Sequence, residues 1–141
     1  MDVKECLENG LLKKDKPDIN KAKRSIEIAK SKLGKAEQLL EFEICDMALV
    51  NCYSSMFHSA RALLFKDGFK EKSHYAVYVY LKERYYSKIE LKFLNELNIL
   101  RLDRHEVFYA LEEPELDKAG LKKSIKLAGE FIESINKILE N

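Results

Sequence analysis

Residues Ile44 to Phe65 read ICDMALVNCYSSMFHSARALLF. Ile44, Met47, Ala48, Val50, Tyr53, Met56, Phe57, Ala60, Leu63 and Leu64 spread over far more than one stripe of a 3.6-residue helix, so this stretch is expected to be a central helix with neighbours on several sides. Ser54, Ser55, Ser59 and Ala60 thin one part of it, which lets another helix, from this chain or a twin, pack closely. Arg61 on such a helix needs an acidic partner or a wet cleft: carboxylates on the Asp46 side, carboxylates of a second subunit, or a bound phosphate. His58 reads first as a hydrogen-bonded core residue, with a position facing Arg104 across the bundle as the functional reading.

Downstream, Asp67-Gly68 stops the central helix, and FKEK leads to Ser73, a suitable N-cap for a helix carrying Tyr75, Val77, Tyr78, Leu81, Tyr85 and Tyr86. Lys70, Lys72, Lys82, Arg84 and Lys88 interleave with these tyrosines. The rings are expected to pack inward while the cations are solvated; the competing reading is a surface on which bases stack beside phosphate-binding charges. From about Glu90 a further helix has Leu91, Phe93, Leu94, Leu97, Leu100 and Leu102 as its apolar side. Asn98, Arg101, His105 and Phe108 follow one another at helical spacing on its other face, flanked by Arg104 and Tyr109. Arg101 and Arg104 either pair with Asp103, Glu106 or Glu112 as surface ion pairs, or meet a ligand.

Upstream, Val3 to Glu8 reads as a short helix stopped by Asn9-Gly10, and the charged LLKKDK as an exposed connecting arm. A long helix is signalled at Asp15-Lys16-Pro17, with Ala22, Ile26, Ala29, Leu33, Ala36 and Leu40 on one stripe. Gly34 within that helix is expected to allow a close backbone approach. The chain turns near Phe42 to Asp46. After Glu112-Glu113-Pro114 a last helix runs to about Leu139, and its Leu121, Ile125, Ala128, Ile132, Ile135 and Leu139 stripe is suited to antiparallel pairing with the first long helix. The expectation is all-α: an up-and-down bundle of four to five helices in one domain over residues 1–141, with residues 1–16 as short N-terminal helix and connector.

The 141 residues are 46% apolar and carry 25 Lys and Arg against 24 Asp and Glu, a net charge of +1 that supplies no general attraction to nucleic acid or anionic membrane. Any such binding must come from a local patch. No apolar run approaches the roughly 20 residues of a bilayer span, and MDVKECLENG lacks the pattern of a signal peptide, so a cytoplasmic protein with no membrane association is expected. Cys45 and Cys52, about 10 Å apart along one helix, cannot pair. No CxxC pair or Cys/His cluster has metal-ligand spacing, so neither a metal nor another cofactor is expected.

CYSSMFHSARALLFKDGFKEKSH, followed some thirty residues on by LRLDRHEVFY, resembles the HEPN superfamily of small prokaryotic helical proteins. The positions that carry the likeness are Tyr53, Phe57, His58, Ala60, Arg61, Leu63 and Leu64; then Gly68, Lys72 and His74; then Arg104 and Tyr109. The resemblance implies a helical bundle that forms a homodimer. It also implies a role as a metal-independent RNase or an RNA-binding relative, often a toxin encoded beside a small nucleotidyltransferase antitoxin. In catalytic members an arginine is followed, after four to six intervening residues, by a histidine at the dimer cleft, where they move protons and stabilise phosphate charge. Here the residue after four intervening positions from Arg104 is Tyr109, from Arg101 it is Glu106, and His105 is too near either arginine. A tyrosine with pKa about 10 donates a proton or hydrogen bond rather than acting as a base near neutrality.

The resemblance therefore directs attention to Arg104, Tyr109 and His105 as catalytic candidates, and to Arg101, Arg104, Asn98, Arg61 and His58 as RNA- or nucleotide-binding candidates. The first functional expectation is a HEPN-type RNA- or nucleotide-binding protein, toxin-like partner of a nucleotidyltransferase, in which partner-dependent modification of Tyr109 would add phosphate charge to the cleft. A helical protein-interaction module without a nucleic-acid role stands beside it, as does a metal-independent ribonuclease with an atypical site.

Overall fold

The computed structural model describes residues 1–141. Six helices and two short strands follow in the order α1 (Val3–Glu8), β1 (Leu12–Lys14), α2 (Ile19–Glu41), α3 (Cys45–Asp67), β2 (Phe69–Glu71), α4 (His74–Arg84), α5 (Leu91–Tyr109) and α6 (Lys118–Glu140). Four long helices, α2, α3, α5 and α6, form an up-and-down bundle, and α4 is inserted beside α3 and α5. No helix is long and apolar enough to cross a membrane.

The centre is α3. Twelve of its residues are buried, from Ala48 and Leu49 through Tyr53, Met56 and Phe57 to Leu63 and Leu64, and α2, α4, α5 and α6 all pack on it. The expected interior position of Ile44 and Met47 is not realised: both are exposed, because the inward side at the start of α3 is taken by Cys45, Ala48 and Leu49. Ser55 and Ser59 are fully buried, their hydroxyls bonded to the carbonyls of Cys52 and Ser55, so these small polar residues sit inside close helix packing without an unsatisfied group.

The α2 stripe is buried as its periodicity implies, with Leu33 half-covered. Glu37, Leu40 and Glu41 lie beside Lys118, Lys122 and Ile125, whereas Ile19 and Lys23 lie beside Asn136 and Leu139. The two helices are thus antiparallel, as their matched stripes require. Gly34 departs from expectation: no backbone approaches it, and it is exposed on the outer side of α2. The corner between α2 and α3 needs neither glycine nor proline, because Glu43 itself takes a left-handed conformation at φ 61°.

The connector is not an exposed arm. Its main chain pairs antiparallel with β2 in the register Leu12↔Glu71, Lys13↔Lys70 and Lys14↔Phe69, and Leu12 is buried. Lys13 and Lys14 keep their charges outside while the backbone is satisfied by the ladder. Gly68 makes this possible at φ 87°: a Cβ there would come within 2.9 Å of Pro17 and 2.8 Å of the Asp15 carbonyl. Asp18, one residue past Pro17, supplies the actual N-cap of α2 by accepting from the Lys21 amide. Likewise Asp117, not Pro114, opens α6. Tyr85 caps the end of α4 and Tyr86 lies beyond it, exposed.

Candidate nucleic-acid interface

Along α5 the buried side runs Phe93, Leu94, Leu97 and Leu100. Continuing at spacings of four and three, the next inward positions are Arg104 and Val107, with Arg101 beside them. An arginine therefore occupies core register near the end of the helix. Leu91 and Leu102, expected on the apolar side, are turned to solvent by the same rotation.

The Arg104 guanidinium lies 6.0 Å from the centre of the Tyr53 ring on α3 and 5.0 Å from that of Phe108. Arg101 lies 5.1 Å from the centre of the Tyr75 ring on α4, and its Nε and Nη2 donate to Asn98 Oδ1 at 3.2 and 3.0 Å. Neither arginine has a carboxylate within 4 Å, so the surface pairing with Asp103, Glu106 or Glu112 is not formed. Both are half-buried, their planes supported by aromatic faces and their charges uncompensated.

Facing them is a residue that the spacing on α5 does not indicate. Tyr53 Oη and His74 Nδ1 are 2.7 Å apart, and the His74 ring lies flat on Phe57 at 4.2 Å and 12°. Burial, and then the Arg104 charge with Arg101 and Arg61 adding to it, holds the His74 pKa below its ordinary value against the opposing pull of Glu71. Burial pushes the Tyr53 phenol upward, with the two arginines acting the other way, so Tyr53 keeps its proton. The only signal for His74 in the sequence is the family resemblance; its bond to Tyr53 joins positions 21 residues apart and leaves no local trace.

The remaining candidates are placed separately. Arg61 forms an ion pair with Glu71 on β2, neither an Asp46-side nor an inter-subunit carboxylate, and its guanidinium stacks over Phe65 and Phe57. His58 sits beside Arg61, with Nδ1 3.4 Å from Nη1, rather than against Arg104. Burial, then the charges of Arg61, Lys32 and His74, lowers the His58 pKa from 6.5 to about 4. The unfolded chain therefore binds this proton first, and the associated stability is complete above pH 6.5 and declines as pH falls toward 4. His58→Gln is expected to flatten this part of the decline when urea midpoints are measured across that range. An unchanged slope would show that His58 does not contribute to it.

His105 and Tyr109 are both exposed at the end of α5, their ring centres 4.7 Å apart. They form their own pair on the outer side and do not converge on Arg104 within one copy of the chain. Cys52, pushed up to about 12 by burial, offers no nucleophile. No group of three or more His, Cys, Asp or Glu side chains is arranged to hold a metal ion.

The arrangement offers two fixed guanidinium groups and an imidazole beside aromatic faces, which suits phosphate binding next to base or ribose contacts. No curated protein matches the chain. The family model described as HEPN domain matches residues 22–138, which takes in the whole bundle from α2 to the last turns of α6. The chain belongs to the HEPN family.

Proposed function

We propose that this protein binds RNA or a nucleotide through the Arg101 and Arg104 surface of α5, and serves as the toxin-like partner of a small nucleotidyltransferase. Membership of the HEPN family supports a role connected with nucleotides or RNA. The observation that carries the reading to this surface is the absence of any carboxylate partner for two half-buried arginines, Arg104 in core register and Arg101 beside it. A guanidinium withdrawn partly from water and left uncompensated is costly to the free protein, and a phosphate offsets that cost.

The test is titration of labelled single-stranded RNA with the purified protein in chelator, over a series of salt concentrations, with the RNA examined afterwards for cleavage. Salt-sensitive binding without cleavage supports the reading. Metal-independent cleavage would replace it by the atypical ribonuclease, and no binding would leave the protein-interaction module.

A homodimer is part of the same proposal. Ile99, Leu102 and Tyr109 recur at helical spacing on the outer face of α5, at 51%, 50% and 68% exposure, and Leu111 continues the patch. Pairing of two copies there would bring His105 and Tyr109 of each against the other. Leu102→Glu is expected to convert the dimer to a monomer in light scattering, by placing a charge in the buried centre of the contact. A wild-type monomer at all accessible concentrations would overturn this assignment.

A further inference from the structure

We infer that His74, with its proton held on Nε2 by Tyr53, is a third, uncharged ligand for the phosphate group bound by Arg101 and Arg104. The inference rests on the phosphate-binding reading above and adds the residue that gives that site direction.

Tyr53 is 2% exposed, so its hydroxyl proton is satisfied within the protein. The one acceptor in bonding contact with it is His74 Nδ1. The phenol therefore donates, Nδ1 accepts, and the neutral imidazole carries its hydrogen on Nε2. A half-turn of the ring would keep its face on Phe57 but put a carbon where Nδ1 accepts from Tyr53, so the Tyr53 bond fixes which nitrogen is presented. His74 itself remains exposed at the first position of α4 while Tyr53 is enclosed, so the nitrogen opposite the Tyr53 bond is the one available to a ligand.

The surroundings select against a charged imidazole. Arg104 is the strongest charge acting on the ring, with Arg101 and Arg61 also positive and Glu71 the single opposing carboxylate. A neutral donor adds a hydrogen bond at a fixed angle without adding a further positive charge to the cluster. Tyr53 thus acts as a positioning residue, and His74 as a ligand. Arg104, whose guanidinium lies 6.0 Å from the centre of the Tyr53 ring, is tied to the same frame.

Two substitutions separate the nitrogens. His74→Asn retains a group at the Nδ1 position and loses the Nε2 donor; His74→Gln places an amide near Nε2. With single-stranded RNA as probe, His74→Asn is expected to weaken binding by about tenfold, the effect of one hydrogen bond to a charged group, and His74→Gln to recover most of it. A parallel titration with adenosine monophosphate distinguishes a terminal phosphate from a backbone phosphodiester as the natural source, according to which ligand shows the His74 dependence.

Tyr53→Phe supplies an independent readout: nitrogen NMR of the imidazole should pass from a single tautomer to a mixture, with a few-fold loss of affinity. Equal affinity of wild type and His74→Asn, together with loss in Arg104→Ala, would overturn the role of His74 while leaving the phosphate site intact. No Arg104-dependent binding of either probe would overturn the phosphate site itself. A wild-type imidazole spectrum showing the hydrogen on Nδ1 would also overturn the inference.

Discussion

Replacing Arg101 and Arg104 together by alanine is expected to weaken RNA binding by about 100-fold, from roughly tenfold or more for each charge-assisted contact. The two residues do different things in the free protein. Arg101 is held by Asn98 Oδ1 and lies over Tyr75, so its fork is oriented before any ligand arrives. Arg104 points inward over Tyr53, where it acts on both Tyr53 and His74. Because each guanidinium neutralises a phosphate, the double variant should also flatten the dependence of log affinity on log salt, by about 0.7 for each single-strand phosphate that is no longer neutralised. A loss of affinity with an unchanged salt slope would indicate that the arginines hold the protein surface in shape and do not touch phosphate. Thermal unfolding should change little, since the loss of the ring contacts and of the Asn98 bonds is opposed by removal of two uncompensated half-buried charges.

The inward position of Arg104 is legible in principle from sequence. Phe93, Leu97, Leu100, Arg104 and Val107 keep one unbroken rhythm of four, three, four and three. Leu102 obscures it, because its apolar side chain invites assignment to the buried side, although its spacing from Leu97 puts it on roughly the opposite face. The stripes of α2 and α6 carry no such competitor, and they define both helices and their antiparallel pairing. The ribbon between Leu12 and Glu71 is not legible, for a different reason. Three residues are too few to establish a period of two, and the pairing depends on main-chain groups brought together only after α2 and α3 have packed. The site divides along the same line. Residues on one helix are found by spacing, whereas the bond between Tyr53 and His74 joins two elements whose approach depends on the turn at Gly68.

That turn is anchored by Asp67, and Asp67→Ala is expected to destabilise the fold by about 3 to 5 kcal/mol, a large share of the roughly 5 to 15 kcal/mol typical of a domain. Asp67 Oδ2 accepts from Tyr80 Oη at 2.7 Å and from Tyr85 Oη at 2.6 Å. Tyr80 is 1% exposed and Tyr85 5%, so the truncated site leaves two buried hydroxyls without partners, each costing about 1 to 3 kcal/mol. Burial, reinforced by the bond to Asp67, pushes both phenols upward, so neither escapes the penalty by ionising. The nearby Lys66 contributes little, as its ammonium is 3.6 Å from Asp67 Oδ1 in a partly solvated pair. Urea unfolding of the single variant, of Tyr80→Phe with Tyr85→Phe, and of all three together forms a cycle. If the unsatisfied hydroxyls are the cause, the triple variant recovers much of the stability lost by Asp67→Ala, because no buried donor then lacks an acceptor. If instead the three losses add, the carboxylate stabilises the corner by some route other than these two bonds. The outcome bears on the site as well: Tyr80 and Tyr85 tie the end of α3 to α4, and α4 begins with His74. A loosened corner should therefore lower RNA affinity in Asp67→Ala at temperatures where the chain is still folded, and the triple variant, which restores packing without restoring the tether, should not recover it fully.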